Sequence, residues 1–258
     1  MSQNPNAYCG LLLMLIAHAI LLVGFLGSWE YATALGMLDP TFFGRPSQIG
    51  SFLVDGFVHG TKLWWELAWT FAGTICAFLL GSIAAIITGF MFVSSPWLER
   101  FLSPYLSALN AMPRIALAPL FILWFGLGLG SKVAVGVTLT YFVVLASATA
   151  GIRGVSQDHV VLMNTLGAKP YQLFWRITLP NAVPVMFSGL RLGLIYALLG
   201  VVGTEIIASQ HGIGQQLSYF ASMFNMSGVM GLLFVLAMVA SVINLALSRV
   251  EDFLRRWQ

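Results

Sequence analysis

Apolar residues along this chain gather into six long runs, at about residues 8–28, 66–93, 105–127, 132–151, 183–208 and 228–249. Each run holds about twenty residues or more, the length of helix that crosses ~30 Å of hydrocarbon. A backbone in lipid must satisfy its own hydrogen bonds, and these runs are continuous rather than alternating. They therefore predict helices and not barrel strands.

Punctuation within and between the runs refines this picture. The second run places Gly73, Ala77, Gly81, Ala85 and Gly89 four apart, and the fifth repeats the device with Gly189, Gly193 and Ala197. In lipid, small residues let helix backbones approach closely, so both stripes predict packing seams. In the third run Pro113 and Pro119 predict a kinked or broken helix. Between the first two runs, Pro46 to His59 puts Ile49, Phe52, Leu53 and Phe57 on one helical face. That spacing predicts an amphipathic helix lying on the membrane or on its neighbours, with Pro46 in its first turn. Between the last two runs, the segment 210–226 predicts a short re-entrant or surface helix after the Gly212–Gly214 turn.

The most informative interruption is Gly151–Pro184, GIRGVSQDHVVLMNTLGAKPYQLFWRITLPNAVP. Ser156 can cap a helix there, and Asp158 suits its positive N-terminal end. Val160, Val161, Leu162, Met163 and Leu166 make that helix unusually apolar, and Gly167 is placed to stop it. Pro170 can open a second helix carrying Tyr171, Phe174 and Trp175, with Pro180 and Pro184 punctuating entry to the fifth run. An exposed helix this apolar needs a partner, either its own bundle or another protein.

Composition agrees with an integral membrane protein. Of 258 residues, 59% are hydrophobic and 8% charged, with a mean hydropathy of +0.88. A soluble domain carries about 25% charged residues. With so few charges, the net +3 reports topology rather than nucleic-acid binding. Placing the N-terminus inside puts Arg100, Arg153, Lys169, Arg176, Arg249, Arg255 and Arg256 on inner segments, against Arg45, Lys62 and Lys132 outside. That excess favours both termini inside. The opening MSQNPNAYCG lacks the basic residues of a cleavable signal, so the first run reads as a retained span. Cys9 and Cys76 read as small core residues. The chain shows no internal repeat and no soluble domain, and reads as one transmembrane domain over 1–258 with a loop at 152–182.

Among the ionisable residues in the runs, three stand out: Arg114, Arg191 and Glu205. Such residues are functional candidates because burying a charge in lipid costs several kcal/mol. Arg114, beside Pro113, either faces a pathway and attracts an anion or snorkels to the surface. Arg191 and Glu205 are fourteen residues apart, about 21 Å along a helix, and cannot pair within one subunit's helix. Thr138, Thr140 and Tyr141 are polar groups at mid-depth, by default packed against other helices. The four histidines have no metal-ligand spacing, and no nucleophile elbow, HExxH or GxxxxGK[ST] loop occurs. A chain without that phosphate loop takes its energy from another subunit if transport is ATP-driven.

Leu166-Gly167-Ala168 followed by Leu179-Pro180 resembles the cytoplasmic signature of binding-protein-dependent ABC transporter permeases. Phe187-Ser188-Gly189-Leu190-Arg191 is similar to that family's TGLR run. Residues 116–128, ALAPLFILWFGLG, resemble the third-span motif of its nitrate/sulfonate/taurine/bicarbonate branch. Gly203-Thr204-Glu205, Gly212-Ile213-Gly214 and Trp29-Glu30 with Pro46 fit the same branch, so the likeness covers most of 25–257.

The resemblance implies an all-α, six-span type I importer permease in a bacterial inner membrane. A second permease subunit would pair with it, as homodimer or heterodimer. Two cytoplasmic ABC ATPases would bind ATP and Mg beneath, an external binding protein would deliver a small oxyanion-type solute, and this chain would hold no cofactor. Asp158, His159, Val161, Leu162, Met163, Leu166, Gly167 and Ala168 would form the ATPase-coupling helix. Arg114, Tyr141, Arg191 and Glu205 are the candidates for path or gate. Arg191, part of the resemblance, would clamp helix ends or contact solute, and Glu205 would brace the outer gate or the binding-protein interface. One departure stands out. The family's Glu-Ala-Ala before the Leu-Gly pair is here Val161-Leu162-Met163. The contact with the ATPase would then be more apolar, or would draw its polar part from Asp158 and His159. The alternative to a permease subunit is a self-sufficient secondary transporter or channel, which needs a cluster of polar residues at mid-membrane.

Overall fold

In a computed structural model, residues 5–255 are described, without the side chains of residues 5–12, 15, 157, 159, 160, 164, 170 and 250–255. The described residues are mostly helical, with no strand among them. Five helices are long and apolar enough to cross a membrane, and a sixth span results if one sharply bent pair counts as one.

Contacts group the chain into two compact units. One holds residues up to Lys62 together with Tyr219–Phe234; the other holds Leu63–Ser218 and the residues from Val235 on.

The first unit opens with α1 (Pro5–Ala34), followed by the single turn α2 (Pro40–Phe43) and by α3 (Pro46–Val54). Asp39 caps α2 by accepting from the Thr41 N–H, and those bonds hold its carboxyl below the usual carboxylate range. Pro46 occupies the first turn of α3, which runs on through a π-turn at Asp55–His59. The apolar face read from the sequence rests on neighbouring protein. Ile49 is buried, Phe52 meets Phe220 edge-on at 5.1 Å, and a side chain at Gly231 would collide with Phe52. Glu30 of α1 ties α3 down by accepting from the N–H and hydroxyl of Ser47 at 3.0 and 2.9 Å.

In the second unit α4 (Lys62–Ser94), α7 (Leu129–Arg153) and α10 (Leu179–Ile207) make the core. Their small residues are the contact points. Gly73, Ala77, Gly81, Ala85 and Gly89 of α4 are all buried, as are Gly189, Gly193 and Ala197 of α10. A Cβ on Gly136 of α7 would fall 2.6 Å from Ala77, and one on Gly200 would fall 2.9 Å from the Gly136 backbone. Gly200→Leu is therefore expected to destabilise the bundle by about 1–3 kcal/mol or more. Gly203→Leu, whose Cβ meets only Ile115 at 3.7 Å, should melt close to the parent in a detergent thermal-shift assay. Equal melting of the two variants would exclude backbone contact as what holds the core.

The third apolar run breaks where the prolines predict. Ser95 caps α5 (Pro96–Ala111), a 3-10 turn follows at Arg114–Leu117, and α6 (Ala118–Phe125) leaves at 86°. The fifth run departs from expectation. Pro170 opens α9 (Pro170–Leu173), but neither Pro180 nor Pro184 ends the helix. A π-turn at Phe174–Thr178 joins α9 to α10, with the Leu179 N–H bonded to the Phe174 carbonyl. That wider turn lies just ahead of Pro180, where a proline ring would otherwise press on the preceding turn. The apolar helix is continuous over Tyr171–Ile207. Two helices complete the described residues, α11 (Ile213–Ser222), after the Gly212–Gly214 turn, and α12 (Met226–Arg255).

Candidate functional site

Between α7 and α9 stands α8 (Gln157–Thr165). The Asp158 N–H bonds the Ser156 hydroxyl at 3.3 Å, so Ser156 caps the helix as its residue type predicts. At the other end Gly167 takes a positive φ of 76°, and the Ala168 N–H returns to the Met163 carbonyl at 3.0 Å. This closure needs a residue free of a Cβ at Gly167. The caps fix a two-turn helix whose apolar side chains find little cover within the chain. Val161, Leu162 and Leu166 are 60%, 56% and 72% exposed. Met163 and Ala168 are half-buried, and Asp158 is exposed. The His159 side chain lies outside the described residues. Just before α8, Arg153 at the end of α7 pairs with Glu99 of α5.

A second arrangement sits at the opposite end of the α4–α7–α10 core. Lys132 and Glu205 form an ion pair at 2.9 Å, 2% and 0% exposed. The carboxylate also accepts from the Thr70 hydroxyl at 2.8 Å and the Gly214 N–H at 3.0 Å. Lys132 donates further to the His211 carbonyl at 2.6 Å. Glu66 accepts from the Gly212 N–H at 2.6 Å, and the Ile213 N–H reaches Thr70 at 2.8 Å. His211 stacks on Trp69 with ring centroids 5.2 Å apart. Gly212, with φ at 122°, leaves no room for a side chain beside the Glu205 carboxylate. Four chain segments thus meet on two carboxylates and one ammonium. Such a cluster resists loss of any one member, because each loss strands a buried polar group.

Arg114 lies at the break between α5 and α6. Its guanidinium donates to the Asn110 carbonyl at 2.7 Å and to the Asn110 side chain, and covers the Phe142 ring at 4.6 Å. The other polar candidates are tied to the bundle. Arg191 Nε donates to Asn244 at 2.6 Å, and Tyr141 donates to Thr88 at 3.1 Å. Thr140 donates to the Gly193 carbonyl at 3.1 Å and Thr138 to the Val135 carbonyl at 2.7 Å. Among the described residues no group of three acidic, histidine or cysteine side chains could hold a metal ion.

The sequence profile of the binding-protein-dependent transport system inner membrane component family matches residues 77–258. The chain belongs to that family. Among its relatives, the riboflavin transport system permease of Chloroflexus aurantiacus is 35% identical over 63% of this chain and 60% of its own length. The taurine transport system permease of Escherichia coli is 29% identical over 89% of this chain and 84% of its own length. The inward-facing MetNI methionine ABC transporter shares the fold, with a TM-score of 0.62 and 18% identity over 78% of this chain and 97% of that one.

In this permease the helix α8 thus falls between the two long core helices of a type I importer fold. The structure brings Glu205 together with Lys132, Glu66 and Thr70, and leaves Arg114, Arg191 and Tyr141 apart from them. Glu205 is not the isolated charge read from the sequence, because Lys132, taken there as a flanking charge, turns inward to meet it. A signal for this was present. Glu66 and Lys132 open two spans and Glu205 closes a third, and alternating spans put those ends on one side of the membrane.

Proposed function

We propose that this permease subunit forms the translocation path of an ATP-driven importer for a small oxyanion-type solute delivered by an external binding protein. In this reading it pairs with a second permease subunit, homologous or identical, and two cytoplasmic ABC ATPases dock beneath. These hold the ATP and Mg, and the termini face the cytoplasm. The observation that carries the reading is the exposed apolar face of α8, Val161, Leu162 and Leu166. In this reading α8, capped at both ends, transmits the push. Closure of the ATPases on it would rock the α4–α7–α10 core of one subunit against that of its partner. The apolar Val161-Leu162-Met163 implies a matching apolar groove on the ATPase. Taurine transport by a relative and the Arg114 cation at the break favour an anionic solute.

The test is purification from native membranes followed by uptake into vesicles. An ABC ATPase should travel with the chain, and uptake should require ATP and the loaded binding protein. Competition by taurine, bicarbonate and riboflavin would then rank the solute classes, with riboflavin alone competing counting against an oxyanion. Solute transport by the purified chain without an ATPase would establish the secondary-transporter reading instead.

A further inference from the structure

The helix α5 carries three separate faces. Leu102 and Leu106 pack against the core around Ala85, Phe92, Val144 and Leu145. Trp97, Phe101 and Tyr105, all exposed, form an aromatic ladder, Trp97 stacked on Phe101 at 5.6 Å and Phe101 tilted against Tyr105 at 5.9 Å between ring centroids. The third face is polar: Glu99, Ser103, Ser107 and Asn110, extended past the helix end by Arg114. Spacings of four, four and three residues keep Glu99, Ser103, Ser107 and Asn110 on one side of the helix.

This face is concave and open. A cavity of about 200 Å³ is lined by Glu99, Ser103, Ser107 and Asn110 of this face together with apolar side chains that include Phe92, Phe142 and Leu145. A second, of about 280 Å³, runs on from Asn110 past Arg114 to Leu139. Asn110 is the common wall. At one end the Arg153–Glu99 pair closes the row, and at the other Arg114 has a buried Nε without a hydrogen-bond partner. An arginine and an asparagine facing lipid would be costly, whereas either is stable against water or a solute. The aromatic ladder beside them is what a lipid-facing surface looks like.

We propose that the polar face of α5 is the wetted wall of the solute path, and that Arg114 is the residue on it that selects a carboxylate- or sulfonate-bearing solute. The guanidinium is held by Asn110 and Phe142 beside the cavity, so a passing anion meets a fixed cation at the helix break. This rests on the permease reading above and assigns the side chains that do the selecting.

The test uses the native assembly in membranes, with Cys9 and Cys76 replaced by serine. Single substitutions Ser103→Cys, Ser107→Cys and Asn110→Cys are compared with Phe101→Cys and Tyr105→Cys. The probes are two water-soluble methanethiosulfonates, one bearing a sulfonate and one a trimethylammonium. The three polar-face cysteines should react and the two aromatic-face cysteines should not. At Ser107→Cys, the ratio of anionic to cationic labelling should fall by about tenfold when Arg114→Gln is added, and recover with Arg114→Lys. Unreactive cysteines at 103, 107 and 110, as expected if a second subunit covers this face dry, would overturn the proposal. So would a charge ratio indifferent to Arg114→Gln. Labelling needs neither ATP nor solute, so its outcome is independent of whether an ATPase co-purifies.

Discussion

A transporter carrying Leu166→Asp should hydrolyse ATP and import almost nothing. Among the described apolar side chains of α8 and the residue that follows it, Leu166 is the most exposed. It has little burial to lose, so the bundle should fold and reach the membrane normally. What the change alters is the surface offered to the ATPase. A carboxylate forced into an apolar groove without a partner costs several kcal/mol. A defect of that size weakens docking by on the order of a hundredfold or more. Uptake into vesicles should therefore fall at least tenfold, with basal ATP hydrolysis within about twofold of the parent. Leu166→Met, which keeps the apolar surface, should transport normally. Met163→Asp should also uncouple, but Met163 is half-buried, so a stability loss would accompany it. Full transport by Leu166→Asp would remove α8 from the coupling mechanism.

The second large effect belongs to the Lys132–Glu205 knot. Removing either partner leaves the other buried, charged and uncompensated, a loss of about 3–5 kcal/mol. Lys132→Met and Glu205→Gln should each lower the melting temperature of the detergent-solubilised permease and reduce its yield. Their effects should not add. The double variant removes both charges at once, so its loss should be smaller than the sum by more than about 1 kcal/mol. Because Glu205 and Thr70 also hold the N–H groups of Ile213 and Gly214, the single variants should expose the 208–214 turn to protease. Additive losses with an intact turn would mean that the pair does not organise this end of the bundle.

The two arrangements differ in how far they can be read from the chain alone. Spans, seams and the helix α8 are local patterns. Gly73 to Gly89 recur every fourth residue, Pro113 and Pro119 flank a break, and the Ser156 and Gly167 caps enclose an apolar turn. Each is set by residues within a few turns of one another. The knot is not local. Lys132 and Glu205 are 73 residues apart, and Thr70 and Glu205 135, so their meeting depends on how three helices pack. Pro180 misleads for a related reason: its breaking tendency is absorbed by the π-turn upstream, a response of the backbone that residue preferences do not show. The polar face of α5 lies between these cases. Its spacing is visible in the sequence, but it stands out only once Leu102 and Leu106 are seen to take the core-facing side.

The coupling role of α8 is tested most directly by asking what its exposed face touches. Leu162→Cys, carrying a benzophenone maleimide in the native complex in nanodiscs, should on irradiation give a covalent adduct with the ABC ATPase subunit. The same label on Phe101→Cys should not. Adducts confined to lipid or to the permease itself, with the ATPase present but unlabelled, would contradict the account.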